Sequence, residues 1–155
     1  MRIAVYPGSF DPITYGHLEV LKRALEIFDR VIVLVAINRD KDNSRFSIAD
    51  RVAMIREAVD DERVIVDSYA GLTVEYAKAH GATHLIRGLR AVTDFDYEFS
   101  LASANAFADP SIDTVFLMSK AEKSFINSSM IMGLHENGVD VSDLVPPSVI
   151  KRLNK

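Results

Sequence analysis

Cysteine is absent from the 155 residues of this chain. That absence excludes disulfide scaffolds, cysteine nucleophiles and thiolate zinc sites. The chain also has no excess of positive charge. Its 18 lysines and arginines are fewer than its 22 aspartates and glutamates, so the formal net charge is −4. Sequence-independent nucleic-acid binding needs a basic surface. We therefore expect no nucleic-acid partner.

Long apolar runs are missing as well. The longest, Val31 to Ile37, is far too short to span a bilayer, and no apolar signal segment precedes the first turn. We expect a cytoplasmic protein with no membrane association. A length of 155 residues, 48% hydrophobic and 26% charged, predicts one soluble domain over residues 1–155, with about two-thirds of the unfolded surface buried.

Several motifs of nucleotide-binding and hydrolytic proteins do not occur. The sequence contains no G-x-x-x-x-G-K-[ST] run, no G-x-G-x-x-G and no G-x-S-x-G. The phosphate loop, the dinucleotide fingerprint and the serine-hydrolase elbow are thereby excluded. His80, His84 and His135 lack the spacing of metal ligands, so we expect no transition-metal site.

Short β-branched runs alternate with helical patterns along the chain. Strands are predicted at residues 3–6, 31–37, 64–66, 83–86 and 114–118. Helices are predicted at residues 16–28, 47–59, 73–80 and 95–107, after Asn127, and after Pro146-Pro147. Ser47 is expected to cap the second helix, and Gly81 to end the third in a left-handed conformation. This alternation predicts an α/β fold with a doubly wound five-stranded parallel sheet in the order 3-2-1-4-5.

That strand order predicts where a ligand binds. Ligands of open α/β sheets lie beyond the carboxyl ends of the strands, where the strand order reverses. The first and fourth strands are neighbours in the predicted order. The site should therefore be built from the loops after Tyr6 and after Ile86.

The first of these loops carries small and polar residues. Gly8 allows a close approach of the backbone, and Ser9 offers a hydroxyl. Thr14 is a candidate helix cap that would place His17 in the first turn, where N–H groups and the helix dipole attract anions. Because the same positive end disfavours imidazolium, we expect a neutral His17 that donates a hydrogen bond. The alternative is a surface histidine with no role, which the glycines and the switch point disfavour.

The second loop carries two arginines around a glycine. Arg87 and Arg90 could pair with the carboxylates that follow them, Asp94, Asp96 and Glu98. They could equally clamp phosphates, because the guanidinium fork matches phosphate oxygens. Spacing alone leaves the two interpretations equal, and the position opposite the first loop favours phosphate. Gly88 removes a side chain where a ligand would approach.

Two further segments lie at the same edge of the sheet. Lys41, beyond the second strand, belongs to a charge run of a kind that is usually a solvated loop. Ser124 to Ser129, after the fifth strand, supplies hydroxyls and a helix N-terminus. Ordinary helix capping explains this segment as well as phosphate contact does.

These motifs together resemble a known family. G-S-F-D-P at residues 8–12 and T-x-G-H at residues 14–17 are similar to the signature of the nucleotidyltransferase superfamily. R-G-L-R at residues 87–90, F-x-Y-E at residues 95–98 and the segment 124–129 resemble one branch closely, bacterial phosphopantetheine adenylyltransferase, over nearly the whole chain.

The resemblance implies a Rossmann-like nucleotidyltransferase fold and a reaction that joins ATP to 4′-phosphopantetheine. His17 would stabilise the transition state, assisted by Lys41 and Arg90. The implied substrate-binding residues are Ser9, Lys41, Thr73 and Arg87. The implied ATP-binding residues are Ser9, Phe10, His17, Gly88, Leu89, Arg90, Glu98, Lys123, Ser124, Phe125, Ile126, Asn127, Ser128 and Ser129. The family also implies Mg²⁺, with ligands unassigned, and a homohexamer of two stacked trimers.

Three positions depart from the family pattern. Ser9 stands where Thr is usual and keeps the hydroxyl. Tyr15 stands where Asn is common, and Asn127 replaces the first of three serines. The departure at residue 127 makes its phosphate contact the weakest part of the resemblance.

Other functions are compatible with parts of the pattern. A sibling transferase acting on nicotinamide mononucleotide, or on glycerol 3-phosphate with CTP, usually carries His at the position of Thr14. A regulatory nucleotide-binding module would be expected to lose His17 or an arginine. A flavodoxin-like domain would need a first loop rich in Ser and Thr.

Overall fold

Five parallel strands form one sheet in the computed structural model, which describes residues 1–38, 43–120 and 126–154, without the side chains of residues 92 and 93. The strands are β1 (Ile3–Gly8), β2 (Arg30–Ala36), β3 (Val64–Tyr69), β4 (His84–Leu89) and β5 (Asp113–Met118). Their order across the sheet is β3-β2-β1-β4-β5. The predicted fold class, sheet and strand order are therefore confirmed.

Within the described residues, six helices connect and cover the strands. They are α1 (Tyr15–Ala24), α2 (Ile48–Ala58), α3 (Thr73–Ala79), α4 (Val92–Ala108), α5 (Ser128–Glu136) and α6 (Pro147–Leu153). Among the described residues, none of these helices is long and apolar enough to cross a membrane.

The core lies on both faces of the central strands, because successive side chains of a strand point to opposite faces. One face buries Ala4 and Val33 together with residues of α1, α2 and α5. The other buries Val5 and Ile32 beneath α3. Burial on both faces is what a parallel sheet requires, and it explains the nearly unbroken apolar run of β2.

Two helices differ in extent from the prediction. The first ends at Ala24, not at residue 28, because the amides of Glu26 and Ile27 bond to carbonyls three residues back and form a tighter turn. Phe28 is nevertheless buried in the core. Its apolar position therefore fits a helical spacing although the helix has already ended. The fourth begins at Val92, three residues early, where the Asp94 carboxylate accepts the backbone N–H groups of residues 90 and 91.

Two predicted helix-end signals are confirmed. The Ser47 hydroxyl accepts the backbone N–H of Asp50 at 3.1 Å and caps α2. Gly81 adopts a φ of +73° after α3, where a side chain would be strained.

The strand order places the carboxyl ends of β1 and β4 side by side. The two strands pair through Ala4 with His84 and Val5 with Leu85. The loop after β1 leads directly into α1, so the start of that helix faces the same edge. This is the reversal point of the sheet, where ligands bind in such folds.

Candidate active site

A cavity of about 190 Å³ opens at this reversal point. Its lining comes from the first loop and α1, from β4 and its loop, from α4, and from the segments after β5. The lining residues are Tyr6, Pro7, Gly8, Ser9, Phe10, Thr14, Gly16, His17, Val20, Arg87, Gly88, Arg90, Glu98, Ser119, Ile126, Asn127 and Ser128. The two predicted segments thus meet around one space, but the second is a loop only in part, because Arg87, Gly88 and Leu89 are the last residues of β4.

Thr14 and His17 close a capping box at the start of α1. The Thr14 hydroxyl accepts the backbone N–H of His17 at 3.3 Å. In return, the backbone N–H of Thr14 donates to Nδ1 of His17 at 3.1 Å. Glu or Gln usually provides this second bond, so the T-x-G-H spacing is a capping box in which an imidazole takes that place. The helix start itself orients the ring.

These hydrogen bonds also determine the tautomer of His17. Because Nδ1 accepts the Thr14 N–H, the proton of the neutral ring is on Nε2. The Phe10 ring meets the imidazole edge-on, with the centroids 5.0 Å apart, and restricts its rotation. His17 therefore offers the cavity an oriented N–H donor.

The charge of His17 follows from its surroundings. Burial, and to a lesser extent the positive charges of Arg90 and Arg87, lower its pKa to about 4. The sequence predicts a neutral ring because the positive end of the helix dipole disfavours imidazolium. The structure gives burial and two guanidinium groups as the causes, and the imidazole is uncharged at pH 7.

A pH titration tests this assignment. We expect the His17 ring signals in ¹⁵N-labelled protein to titrate near pH 4 instead of 6.5. Between pH 6.5 and pH 4, His17 is protonated in the unfolded chain but not in the folded protein. The free energy of unfolding should therefore fall as the pH drops through this range. His17→Gln should remove this component of the pH dependence. A His17 midpoint near 6.5 would contradict the assignment.

Arg87 pairs with Glu98 across the cavity wall. Its Nε and Nη2 each donate to one carboxylate oxygen at 2.7 Å, and its Nη1 donates to the carbonyl of Pro7 at 2.8 Å. Burial is the largest single influence on the pKa of Arg87 and lowers it, but the hydrogen bonds to Glu98 and the negative charge of Glu98, with smaller contributions from Tyr6 and Tyr97, together raise that pKa. The structure shows the carboxylate pairing that the sequence left open. Phosphate binding by Arg87 stays a prediction.

Arg90 lies at the mouth of the cavity in a looser arrangement. Its Nε is 3.3 Å from the Asp94 carboxylate, and about a third of its side chain is exposed. Exposed ion pairs of this kind contribute little to stability. The Arg90 guanidinium can therefore turn to a ligand at small cost.

Gly8 and Gly88, at the ends of β1 and β4, are packed closely against neighbouring side chains. A Cβ on Gly88 would lie 3.0 Å from Cγ2 of Val20, so this glycine lets α1 pack closely on β4. A Cβ on Gly8 would lie 3.0 Å from the Phe10 ring. Both residues line the cavity, but the sequence interpretation of Gly88 as space for a ligand missed its contact with the helix.

The start of α5 forms the third side of the cavity. The Asn127 side-chain oxygen accepts the backbone N–H of Met130 at 2.8 Å, which is ordinary helix capping. The Ser128 hydroxyl donates to the carbonyl of Pro12 at 2.8 Å and ties this helix to the first loop. Because Asn127 can cap as serine does, its departure from the family pattern leaves the helix start intact.

The structure does not gather every predicted site residue at this cavity. Leu89, the last residue of β4, is not among the lining residues. Thr73 begins α3, which packs on the opposite face of the sheet. Ser129 also lies outside the lining. Lys41, Lys123, Ser124 and Phe125 fall outside the described residues, and all seven roles stay predictions.

Sequence reasoning missed several lining residues. Tyr6 was interpreted only as part of a buried strand, yet it lines the cavity, packs edge-on against Phe10 and has a pKa that burial raises. Val20 looked like an ordinary helix residue. Ser119 follows β5 and donates to Glu19 at 3.3 Å. The rule that ligands bind at the carboxyl edge could have found Ser119.

The cavity has few donors for a metal ion. In the ranges that the structure describes, no group of three His, Asp or Glu residues could hold one. Glu98 is the only carboxylate among the lining residues, and both of its oxygens accept from Arg87. These residues do not form a protein cage for magnesium.

Comparison with known proteins agrees with the geometry. A cytidylyltransferase-like family model matches residues 5–133. A solved Vibrio parahaemolyticus structure, assigned as a nicotinate-nucleotide adenylyltransferase, superposes with a TM-score of 0.72 at 18% identity over 100% of both chains. A bifunctional NMN adenylyltransferase/ADP ribose pyrophosphatase from Francisella tularensis gives 0.69 at 17% identity, and the match spans 93% of this chain but only 44% of that one. The chain is a nucleotidyltransferase of the cytidylyltransferase-like family.

Curated relatives narrow the family. A phosphopantetheine adenylyltransferase of Geotalea daltonii is 48% identical over 99% of this chain and 96% of its own. One of Desulforudis audaxviator is 51% identical over 96% of this chain and 91% of its own. The chain belongs to the phosphopantetheine adenylyltransferases.

Proposed function

We propose that this enzyme transfers the adenylyl group of ATP to 4′-phosphopantetheine, giving dephospho-coenzyme A and pyrophosphate. The observation that carries the proposal is the oriented Nε2–H donor of His17, which shares one cavity with Arg87 and Arg90. The family membership supports the choice of acceptor.

The chemistry needs positioning more than proton transfer. The phosphate of 4′-phosphopantetheine is already ionised, and its oxygen attacks the α-phosphorus of ATP while the bond to pyrophosphate breaks. No strong base or covalent intermediate is required. Neutral His17 donates from Nε2 to an oxygen of the transferring phosphoryl group, where negative charge accumulates in the transition state. Arg90 and Lys41 supply positive charge to the same group.

The two substrates approach from different parts of the site. We assign the pantetheine phosphate to Ser9, Lys41 and Arg87, and the pantetheine arm to Thr73. ATP is assigned to the first loop, the loop after β4, Glu98 and residues 123–129. The start of α5 supports this assignment, because a helix N-terminus attracts phosphate.

Magnesium would bind in the site as a complex with the phosphates of ATP. Mg²⁺ often binds through substrate phosphates and keeps several waters, which agrees with the lack of a carboxylate cage among the described residues. Bound to the phosphates, it would neutralise charge on the leaving pyrophosphate.

The wider organisation follows the family resemblance. We propose one nucleotidyltransferase domain over residues 1–155 and a homohexamer of two trimers. Exposed apolar side chains on α4 and β5 support self-association, among them Tyr97, Phe107 and Met118. The cytoplasmic location stays a prediction from the sequence.

A direct assay tests the function. Purified protein, ATP, magnesium and 4′-phosphopantetheine should yield dephospho-coenzyme A by mass spectrometry, with one pyrophosphate released per product. Omitting the acceptor should abolish pyrophosphate release, which controls for ATP hydrolysis. No product with 4′-phosphopantetheine, but product with nicotinamide mononucleotide or with glycerol 3-phosphate and CTP, would overturn the proposal.

A further inference from the structure

Arg51 is a buried cation that the proposed mechanism does not use. It is on α2, and only 6% of the residue is exposed. Its Nη1 donates to the backbone carbonyl of Ser9 at 3.0 Å. Its Nε is the one buried side-chain polar atom without a hydrogen-bond partner in the part of the chain that the structure describes.

Burial of such a group needs an explanation. A charge is costly to remove from water unless it is paired, and no ion pair formed within the described ranges includes Arg51. An unmade hydrogen bond at Nε adds to that cost. A methionine or leucine would fill a core position on α2 without either penalty, so stability alone does not account for an arginine here.

The backbone that Arg51 contacts is itself strained. Phe10, next to Ser9, has a φ of +45°, a conformation that bulky L-residues avoid. Such a conformation persists only where neighbouring contacts enforce it, and it is concentrated at functional sites. Phe10 is also the residue whose ring packs against His17.

Contacts hold this backbone on both sides of Phe10. On one side, Arg51 binds the Ser9 carbonyl. On the other, the Asp11 carboxylate accepts the backbone N–H groups of Arg45 and Phe46 at 2.8 and 2.9 Å. The start of α2 and the residues before it therefore bind the first loop at Ser9 and at Asp11, on either side of the strained Phe10.

We propose that Arg51 is a positioning residue for phosphate binding: it fixes the Ser9 carbonyl, and thereby the Ser9 hydroxyl and the Phe10 ring, in the geometry that the cavity needs. Its charge has no carboxylate partner among the described residues, so it also favours an anion near the loop. The link to catalysis rests on the proposed function, whereas the effect on anion binding does not.

Arg56 provides a control on the same helix. It too donates from a guanidinium to a backbone carbonyl at 3.0 Å, in this case that of Val66, but Arg56 as a whole is exposed. Neither arginine lines the cavity, but Ser9, whose carbonyl Arg51 binds, does and Val66 does not. Arg51→Met and Arg56→Met each remove one such bond, but only the first touches the loop of Ser9.

The test compares the two variants by calorimetry and kinetics. We expect Arg51→Met to weaken pyrophosphate binding about tenfold and to lower kcat/KM about 10²-fold, the cost of a misplaced site. Arg56→Met should leave both near wild type, because its bond is to Val66 in β3 and not to the first loop. Arg51→Lys, which keeps the charge without the fork, should lie between wild type and Arg51→Met. Equal pyrophosphate affinity in Arg51→Met and Arg56→Met would overturn the proposal.

Two other outcomes are also decisive. Should Arg51→Met not fold, Arg51→Lys is compared with Arg56→Lys, and equal pyrophosphate affinity there overturns the proposal in the same way. A wild-type protein that binds pyrophosphate but makes no dephospho-coenzyme A refutes the proposed function only, and the binding comparison still decides the role of Arg51. A wild type that does not bind pyrophosphate refutes the positioning role.

Discussion

Replacing His17 with Ala is expected to lower kcat by about 10³-fold, the loss typical of a donor that contacts developing charge in the transition state. The affinity for ATP should change little, because this hydrogen bond strengthens mainly as charge develops. Alanine also removes the Nδ1 acceptor that holds the Thr14 N–H. The variant should therefore lose about 1 kcal/mol of stability, as other lost helix caps do.

A second variant separates catalysis from capping. Gln is a usual residue at the last position of a capping box, so His17→Gln can keep the bond to Thr14 and present an amide N–H in place of Nε2–H. We expect wild-type stability with kcat between that of wild type and that of His17→Ala. His135→Ala, at the other end of a helix and outside the cavity lining, should retain full activity. The transition-state role is wrong if single-turnover rates for His17→Ala stay near wild type.

The sequence predicted the location of this site better than its internal contacts. Alternating strands and helices give the reversal point, because parallel sheets with right-handed crossovers leave few topologies open. The T-x-G-H spacing likewise identified Thr14 as a cap and His17 as a first-turn residue, since both depend on residues within one helical turn.

Contacts between distant segments could not be predicted. The pKa of His17 is lowered by burial and by the arginines of β4 and its loop, which are distant in sequence from its own helix. Arg51 looks like any polar residue in an amphipathic helix, and only the packed structure places it under Ser9, 42 positions away. The close contact between Gly88 and Val20 likewise joins residues that are distant in sequence, and it depends on how α1 packs against the sheet.

Breaking the pair between Arg87 and Glu98 should have the largest effect on stability. Arg87→Met leaves the carboxylate of Glu98, which is 7% exposed, without either of its guanidinium hydrogen bonds. Removal of one partner from a buried ion pair typically costs about 3–5 kcal/mol. We expect a loss near the lower limit, because 23% of the Arg87 side chain is exposed. Urea denaturation at pH 7 measures it.

A double-mutant cycle distinguishes this penalty from lost packing. Glu98→Gln keeps the size of the side chain, and combining it with Arg87→Met removes the unpaired charge, so the double variant should recover much of the stability lost by Arg87→Met. Asp94→Asn, which disrupts the exposed pair with Arg90, is the matched control and should cost less than about 1 kcal/mol. Stability losses that simply add would show that the pair is not coupled.

The same variants connect the ion pair to phosphate binding. A guanidinium that already holds a carboxylate bidentately is oriented for a phosphate, whose oxygens have similar spacing. Glu98→Gln keeps one oxygen that accepts from Arg87 and removes a negative charge that competes with the phosphate, so it should impair 4′-phosphopantetheine binding less than Arg87→Met does. Calorimetry should rank Arg87→Met as the weaker binder. If Glu98→Gln instead weakens binding as much as Arg87→Met, the carboxylate is needed to orient Arg87, and the ion pair as a whole forms the phosphate site. Unchanged affinity in Arg87→Met would mean that Arg87 supports the fold of the cavity and that another residue holds the phosphate.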